Sequence, residues 1–308
     1  MKLNRPDWTH PSNSHNKLPL HNNVCVDSVL IEKIQNVIES VDANALCAYP
    51  DQYDLYKTLS THYNIPIKNI AVGLGSTELI NRLIFLFKTE KIQIISPTFE
   101  MVRVYCDIYN VNFIEKYYTN FNQFDINCID SNCVVYVASP NGNNGHSFNT
   151  EEIRYIISKS KIVILDEAYI DFSPNNSMLQ DINRYDNLIV VNTFSKSLGL
   201  AGIRCGYCFG NDNIIYNIQN IRMNYVSTGI TNHIIKSLID DIPASVERML
   251  ESRSYIQKKF PTINSTGNYC IMKKCEDLLS FCTYKEIGHG LSRVTLTNKN
   301  IFVNEFDN

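Results

Sequence analysis

Four stretches of this chain are almost unbroken runs of apolar residues: 92–96, 133–137, 161–165 and 187–191. A strand with one wet face alternates apolar and polar residues. Unbroken β-branched runs suit strands covered on both faces, as in a largely parallel sheet. The segments between them follow another period. In 76–87 the residues Leu79, Ile80, Leu83, Ile84 and Phe87 recur three and four apart, which predicts a helix with one buried stripe. A second helix is predicted over 151–160, with Thr150 as its cap and Glu151 and Glu152 at its positive end. Strands alternating with helices predict an open α/β sheet, whose sites form at the carboxyl ends of its strands.

Past residue 212 the pattern changes. Residues 213–239 predict a long helical connection, interrupted near Ser227-Thr228-Gly229. A helix over 244–260 and short strands over 268–272 and 291–296 follow. This divides the chain into a large α/β domain over 44–212 and a smaller α+β domain. The smaller one combines an N-terminal arm (1–43) with the connecting helix and a shortened C-terminal part (213–308).

Composition narrows the function classes. A 308-residue chain that is 44% hydrophobic can bury a sizeable core. Its net charge of −3 leaves no basic excess to meet a phosphate backbone, so nucleic acid is not an expected partner. No apolar run reaches membrane-spanning length, and residues 1–23 lack the apolar middle of a signal peptide. A cytoplasmic protein is expected. Ten cysteines are scattered along the chain. Cys205 and Cys208 form a C-x-x-C, but within a strand their side chains point to opposite faces, and no second pair stands at zinc spacing. Buried reduced thiols and no metal are expected.

The chemistry concentrates where the predicted strands end. After the run 187–191 comes Thr193-Phe194-Ser195-Lys196-Ser197-Leu198-Gly199, a lysine framed by small polar residues, and then Arg204. Asp166 ends the run 161–165, with Tyr169 three residues on. Gly73-Leu74-Gly75-Ser76-Thr77 turns from a short strand into a helix, and a helix start presents backbone N–H groups to an anion. Phe99 follows the run 92–96 and offers a flat apolar face. Arg293 lies in a late strand, and a guanidinium fork suits a carboxylate or a phosphate.

In this order these segments resemble the pyridoxal-phosphate (PLP) aminotransferases of fold type I, and within them the histidinol-phosphate aminotransferase branch. The resemblance runs from about residue 20 to 297 and is strongest over 138–206. It implies a large domain with a mostly parallel sheet flanked by helices, a small α+β domain, and a homodimer. It implies that Lys196 forms a Schiff base with pyridoxal 5'-phosphate, Asp166 pairs with the pyridine nitrogen and Tyr169 contacts the ring hydroxyl. Gly75, Ser76, Thr77, Ser195 and Arg204 would hold the cofactor phosphate, and Phe99 would stack on the ring. Tyr49, in Ala48-Tyr49-Pro50, would reach the phosphate of the partner's site. Arg293 would bind the acidic group of the amino donor or keto acceptor, and Asn23 loosely matches an asparagine lining the substrate site.

Two departures stand out. Where the family places an asparagine against the ring hydroxyl, this chain has Gly142, in Ser139-Pro140-Asn141-Gly142-Asn143. Either Asn141 or Asn143 could take over that contact by a shift of register. Between Ile271 and Ser292 there is no arginine, where the histidinol-phosphate enzymes offer a second one to the substrate phosphate. A terminal helix after Arg293 is expected to be missing. Amino transfer is the reaction the resemblance implies. Decarboxylation of a phosphorylated amino acid, as in threonine-phosphate decarboxylases, and a non-catalytic PLP-binding paralogue are the alternatives.

Overall fold

In a computed structural model of the chain, the four apolar runs lie side by side at the centre of a seven-stranded sheet. The structure describes residues 18–19, 27–42, 44, 47–263, 265–275, 282–297 and 299–306. The elements run β1 (Leu18–Pro19), α1 (Ser28–Glu39), α2 (Gln52–Tyr63), β2 (Ile70–Gly73), α3 (Ser76–Leu86), β3 (Lys91–Ser96), α4 (Met101–Ile108), β4 (Phe113–Tyr117), β5 (Cys133–Ala138), α5 (Thr150–Lys159), β6 (Ile162–Asp166), β7 (Leu188–Thr193) and α6 (Phe194–Ser197). They continue with β8 (Gly206–Gly210), α7 (Asp212–Asn220), α8 (Gly229–Leu238), α9 (Ile242–Lys259), β9 (Thr262–Ile263), β10 (Tyr269–Lys273), β11 (Cys282–Thr283), β12 (Lys285–Gly288), β13 (Leu291–Thr295) and α10 (Lys299–Phe306).

The large sheet has the order β2-β8-β7-β6-β5-β3-β4. Strands β3 to β7 pair in parallel, whereas β8 is antiparallel to both its neighbours. Period-two alternation sorts the central side chains onto two cores. Val135, Val137, Val163 and Leu165 face α2, α5, α8 and α9, while Val134, Tyr136 and Ile164 face α3, α4 and α7. Both faces are covered, which is why these strands read as unbroken apolar runs. Edge strand β4 is only half-buried and escapes that signal. A second, antiparallel sheet has the order β12-β13-β10-β9.

Several local expectations are corrected. The cap of α5 is Asn149, not Thr150. The Asn149 side chain accepts from the Glu152 N–H (2.9 Å) while Glu152 accepts from the Asn149 N–H (2.8 Å), a reciprocal pair that satisfies two donors at once. The helical connection over 213–239 is interrupted where the sequence predicts: it is two helices, and the second is capped by Thr228, whose hydroxyl accepts from Thr231 N–H. The terminal helix expected to be absent is present as α10, where Phe306 packs edge-on to Phe260 at 5.3 Å. Cys205 and Cys208 do point to opposite cores, and both are free thiols. No helix among the described residues is long and apolar enough to cross a membrane.

Two buried features hold the strand ends together. Gly206 opens β8 directly beneath the start of α3, where a Cβ would lie 2.2 Å from the Ser76 nitrogen. Glu167, just past β6, is buried, and its carboxyl accepts from the Met178 N–H and the Ser177 hydroxyl, each at 2.7 Å. Burial pushes the Glu167 pKa up to about 8 against the pull of those bonds.

Gly206→Ala should therefore destabilise the fold by about 2 kcal/mol, the usual cost of overpacking. The urea midpoint reads this, and an unchanged midpoint would mean that α3 can withdraw from β8 freely. For Glu167 the native state holds a proton that the unfolded chain has released, from the ordinary carboxylate range up to about 8. Stability must fall as pH rises through that window. Urea midpoints of Glu167→Gln should fall less steeply than those of the parent over the same window; parallel curves would refute the assignment.

Candidate active site

The carboxyl ends of β5, β6 and β7 and the start of α3 surround a cavity of about 460 Å³, closed on another side by the small sheet. Gly75, Ser76 and Thr77 border it from the start of α3, Asp166 and Tyr169 from the end of β6, and Ser195, Lys196 and Arg204 from the segment after β7. Phe99 and Arg293 complete the set that the sequence singled out.

One end of the cavity is built for an anion. Helix α3 starts at Gly75 with no side-chain cap, so its first turn faces the cavity through backbone. Gly75 has φ +82°, and a Cβ on it would come within 2.7 Å of Arg204 Nη2. Arg204 itself adopts a left-handed conformation (φ 53°), with Nη1 donating to the Ala201 carbonyl at 2.9 Å. The single turn α6 is capped by Thr193, whose hydroxyl accepts from Ser195 N–H at 3.2 Å. That cap sets Ser195 and Lys196 on the cavity wall.

At the end of β6 the Asp166 carboxyl is buried. Tyr136 donates its hydroxyl to Oδ2 at 2.6 Å, and the Ala168 N–H donates to Oδ1 at 3.1 Å. Burial raises the Asp166 pKa, while the Tyr136 and Ala168 bonds and the charge of Lys196 pull it back. Sequence reading counted Tyr136 only as core, and the structure joins it to the candidate site through Asp166. Its sole signal was a polar tip inside an apolar run. Lys196 Nζ lies 5.5 Å from the centre of the Tyr169 ring.

The loop after β5 carries the first departure. Asn141 is buried, but its side chain ties this loop to the one after β3, donating to the Pro97 carbonyl (2.8 Å), and accepts from Asn143 N–H (2.9 Å). It does not border the cavity, contrary to the cofactor contact expected of it. Asn143 does border it, with its amide turned to the Thr98 carbonyl. Gly142 makes room for Tyr169: a Cβ there would come within 2.8 Å of Cε2 and 2.9 Å of the hydroxyl. Tyr269 stands edge-on to Tyr169 (5.4 Å) and donates its hydroxyl to the Asn141 carbonyl at 2.6 Å, while Arg293 donates to the Gly142 carbonyl.

At the second departure the structure brings in a cation that the sequence reading missed. Lys285 on β12 stands directly opposite Arg293 on β13, and both border the cavity. The hairpin carries a bulge between Glu286 and Gly288, so counting along the sequence does not reveal this pairing. Lys285 Nζ lies 3.8 Å from Glu100 Oε1. Burial lowers the Lys285 pKa, the Arg293 charge lowers it further, and Glu100 raises it. Tyr49 is outside the cavity, 79% exposed and stacked on Tyr225 at 4.2 Å. Asn23 lies outside the described residues.

Comparison with known proteins agrees with this geometry. The family model for aminotransferase class I and II matches residues 15–303. The chain is 33% identical over 233 residues to the histidinol-phosphate aminotransferase of Pyrococcus furiosus, covering 71% of this chain and 67% of that protein. Among solved structures it is similar to the histidinol-phosphate aminotransferase from Clostridium acetobutylicum, with a TM-score of 0.78, 20% identity and coverage of 94% and 97%. The L-threonine-O-3-phosphate decarboxylase from Porphyromonas gingivalis shares the fold at 17% identity (TM-score 0.76, coverage 94% and 98%), a likeness of architecture alone. The relative at the level of sequence is thus an aminotransferase, and the decarboxylase alternative is the less supported one. The chain belongs to the class I and II aminotransferases, enzymes whose cofactor is pyridoxal 5'-phosphate.

Proposed function

We propose that this cavity is the transamination site and that it works on amino compounds carrying an acidic group. The observation that carries this reading is the convergence of Lys196, Asp166 and Arg204 with the start of α3 on one cavity, with two cations, Arg293 and Lys285, also on its wall. The residues fit pyridoxal 5'-phosphate. Gly206 lets the start of α3 pack close on β8, Gly75 leaves room for the Arg204 guanidinium beside it, and Ser76, Thr77, Ser195 and Arg204 supply the donors a phosphate needs.

When bound, the cofactor supplies an electron sink for negative charge on the substrate carbon. Arg204, Ser195 and the first turn of α3 hold its phosphate. Asp166 keeps the ring nitrogen protonated, and Tyr136 holds the Asp166 carboxyl in the orientation to do so. Phe99 would cover a ring face and Tyr169 would donate to the ring hydroxyl. Lys196 would anchor the cofactor, and its amine would act as the base that takes the proton from the substrate carbon and as the acid that hands the proton on to the cofactor carbon. Arg293 grips the substrate's acidic group and so aims the bond that breaks. Histidinol phosphate, named in the relatives, is the first amino donor to test.

The site is completed by a second copy of the chain. The exposed Tyr49, Tyr53, Met223 and Tyr225 form the apolar surface that the copy would cover, placing Tyr49 at the neighbouring cavity. Sedimentation should give a dimer, and a monomer with full activity would refute this part.

Lys196→Ala should replace the lysine imine absorption band of the enzyme with added pyridoxal 5'-phosphate by that of the free aldehyde and lower turnover by orders of magnitude, with the unfolding midpoint retained. A retained imine band would remove Lys196 from its role. Arg293→Ala should raise KM for acidic donors by about 10- to 100-fold, the worth of a charged hydrogen bond. Unchanged KM would place the acidic group elsewhere.

A further inference from the structure

A second cavity, of about 310 Å³, adjoins the first, and Thr98, Phe99, Glu100, Asn143 and Lys285 border both. The Glu100–Lys285 pair therefore stands in the partition between them. On the inner side Lys285 and Arg293 are cross-strand neighbours, and two like charges so placed repel unless a counter-ion is near. Glu100 is that counter-ion, 3.8 Å from Lys285. On the outer side stands Arg103, which is exposed, borders only the second cavity and makes no ion pair among the described residues. Glu100 precedes α4 with helical dihedrals (φ −58°, ψ −27°), so Arg103, three residues on, shares its face of the helix. Glu100 thus has a cation on either side of the partition.

We propose that Glu100 is a two-position counter-ion that matches the anion seat, Lys285 and Arg293, to the charge of the molecule bound there. Turned inward to Lys285, it leaves the seat one net positive charge, suited to a carboxylate. Turned outward to Arg103, it leaves two, suited to a phosphate monoester dianion. A transamination site gains from such a device, because donor and acceptor occupy it in turn with different acidic groups. The proposal rests on the amino-transfer reading of the cavity.

The test uses the enzyme loaded with pyridoxal 5'-phosphate, so that the cofactor's own phosphate seat is filled. Methyl phosphate, at a pH where it is a dianion, and acetate are titrated against the visible absorption band. Attraction scales with ligand charge, so Glu100→Gln should tighten methyl phosphate about fivefold and acetate only about twofold. Arg103→Met should weaken methyl phosphate about threefold in the parent but have no effect in the Glu100→Gln background, since the outward position then has no occupant. Lys285→Met should remove the preference for the dianion. Equal effects of Glu100→Gln on both ligands, or an Arg103→Met effect that persists without Glu100, would overturn the proposal. Absence of the visible band in the parent would instead overturn the underlying reading of the cavity.

Discussion

The Asp166 carboxyl sits buried at the end of β6, with Tyr136 donating to one oxygen and the Ala168 N–H to the other. Burial works against its charge, and only neighbouring donors and the nearby Lys196 restore it. The surrounding sheet serves that balance. Parallel strands bring β5, β6 and β7 to a common carboxyl end, where Asp166 pairs with Ala138 and Val191, Tyr136 stands two residues before Ala138 and Thr193 two residues after Val191. Lys196 follows one turn later because α6 is only a single turn long. A polar cluster of this kind is costly if any member loses its partner, which ties the chemistry to the packing of both faces of the sheet.

The phosphate end depends on a different constraint, the absence of side chains. Gly206 lets the α3 start lie against β8, and Gly75 lets Arg204 fold over it. Gly142 plays the same part for Tyr169. Its replacement of the family's asparagine is therefore a change of packing as well as a loss of an amide: the tyrosine ring closes on the backbone where a side chain would stand. The peptide beside it is pinned from the small sheet by Tyr269 and Arg293, so the ring contact and the anion seat share one short stretch of backbone.

The proposed anion seat belongs to the β12–β13 hairpin. Lys285 and Arg293 are brought together by a bulged register, and Glu100 meets them from the large sheet's side. Opposite charges arriving from two elements make the seat sensitive to how those elements approach, whereas the cofactor end is built wholly from strand ends of one sheet.

The sequence by itself determined the sheet's central strands, because burial on both faces leaves an unbroken apolar signature. The cluster around Lys196, Asp166, Arg204 and the α3 turn was legible through the order of its motifs and their resemblance to the fold type I aminotransferases, because each of these residues taken alone is common at strand ends and in loops. The edge strand β4 was not legible, since half-burial leaves no clean period. Asn149 displaced Thr150 as a cap because its side-chain oxygen accepts from Glu152 N–H while the Glu152 carboxylate reaches back to its own N–H. Tyr136, Lys285 and Glu100 were decided by tertiary structure alone. Their roles arise from contacts between segments tens to hundreds of residues apart, and no local period encodes which polar tip meets which.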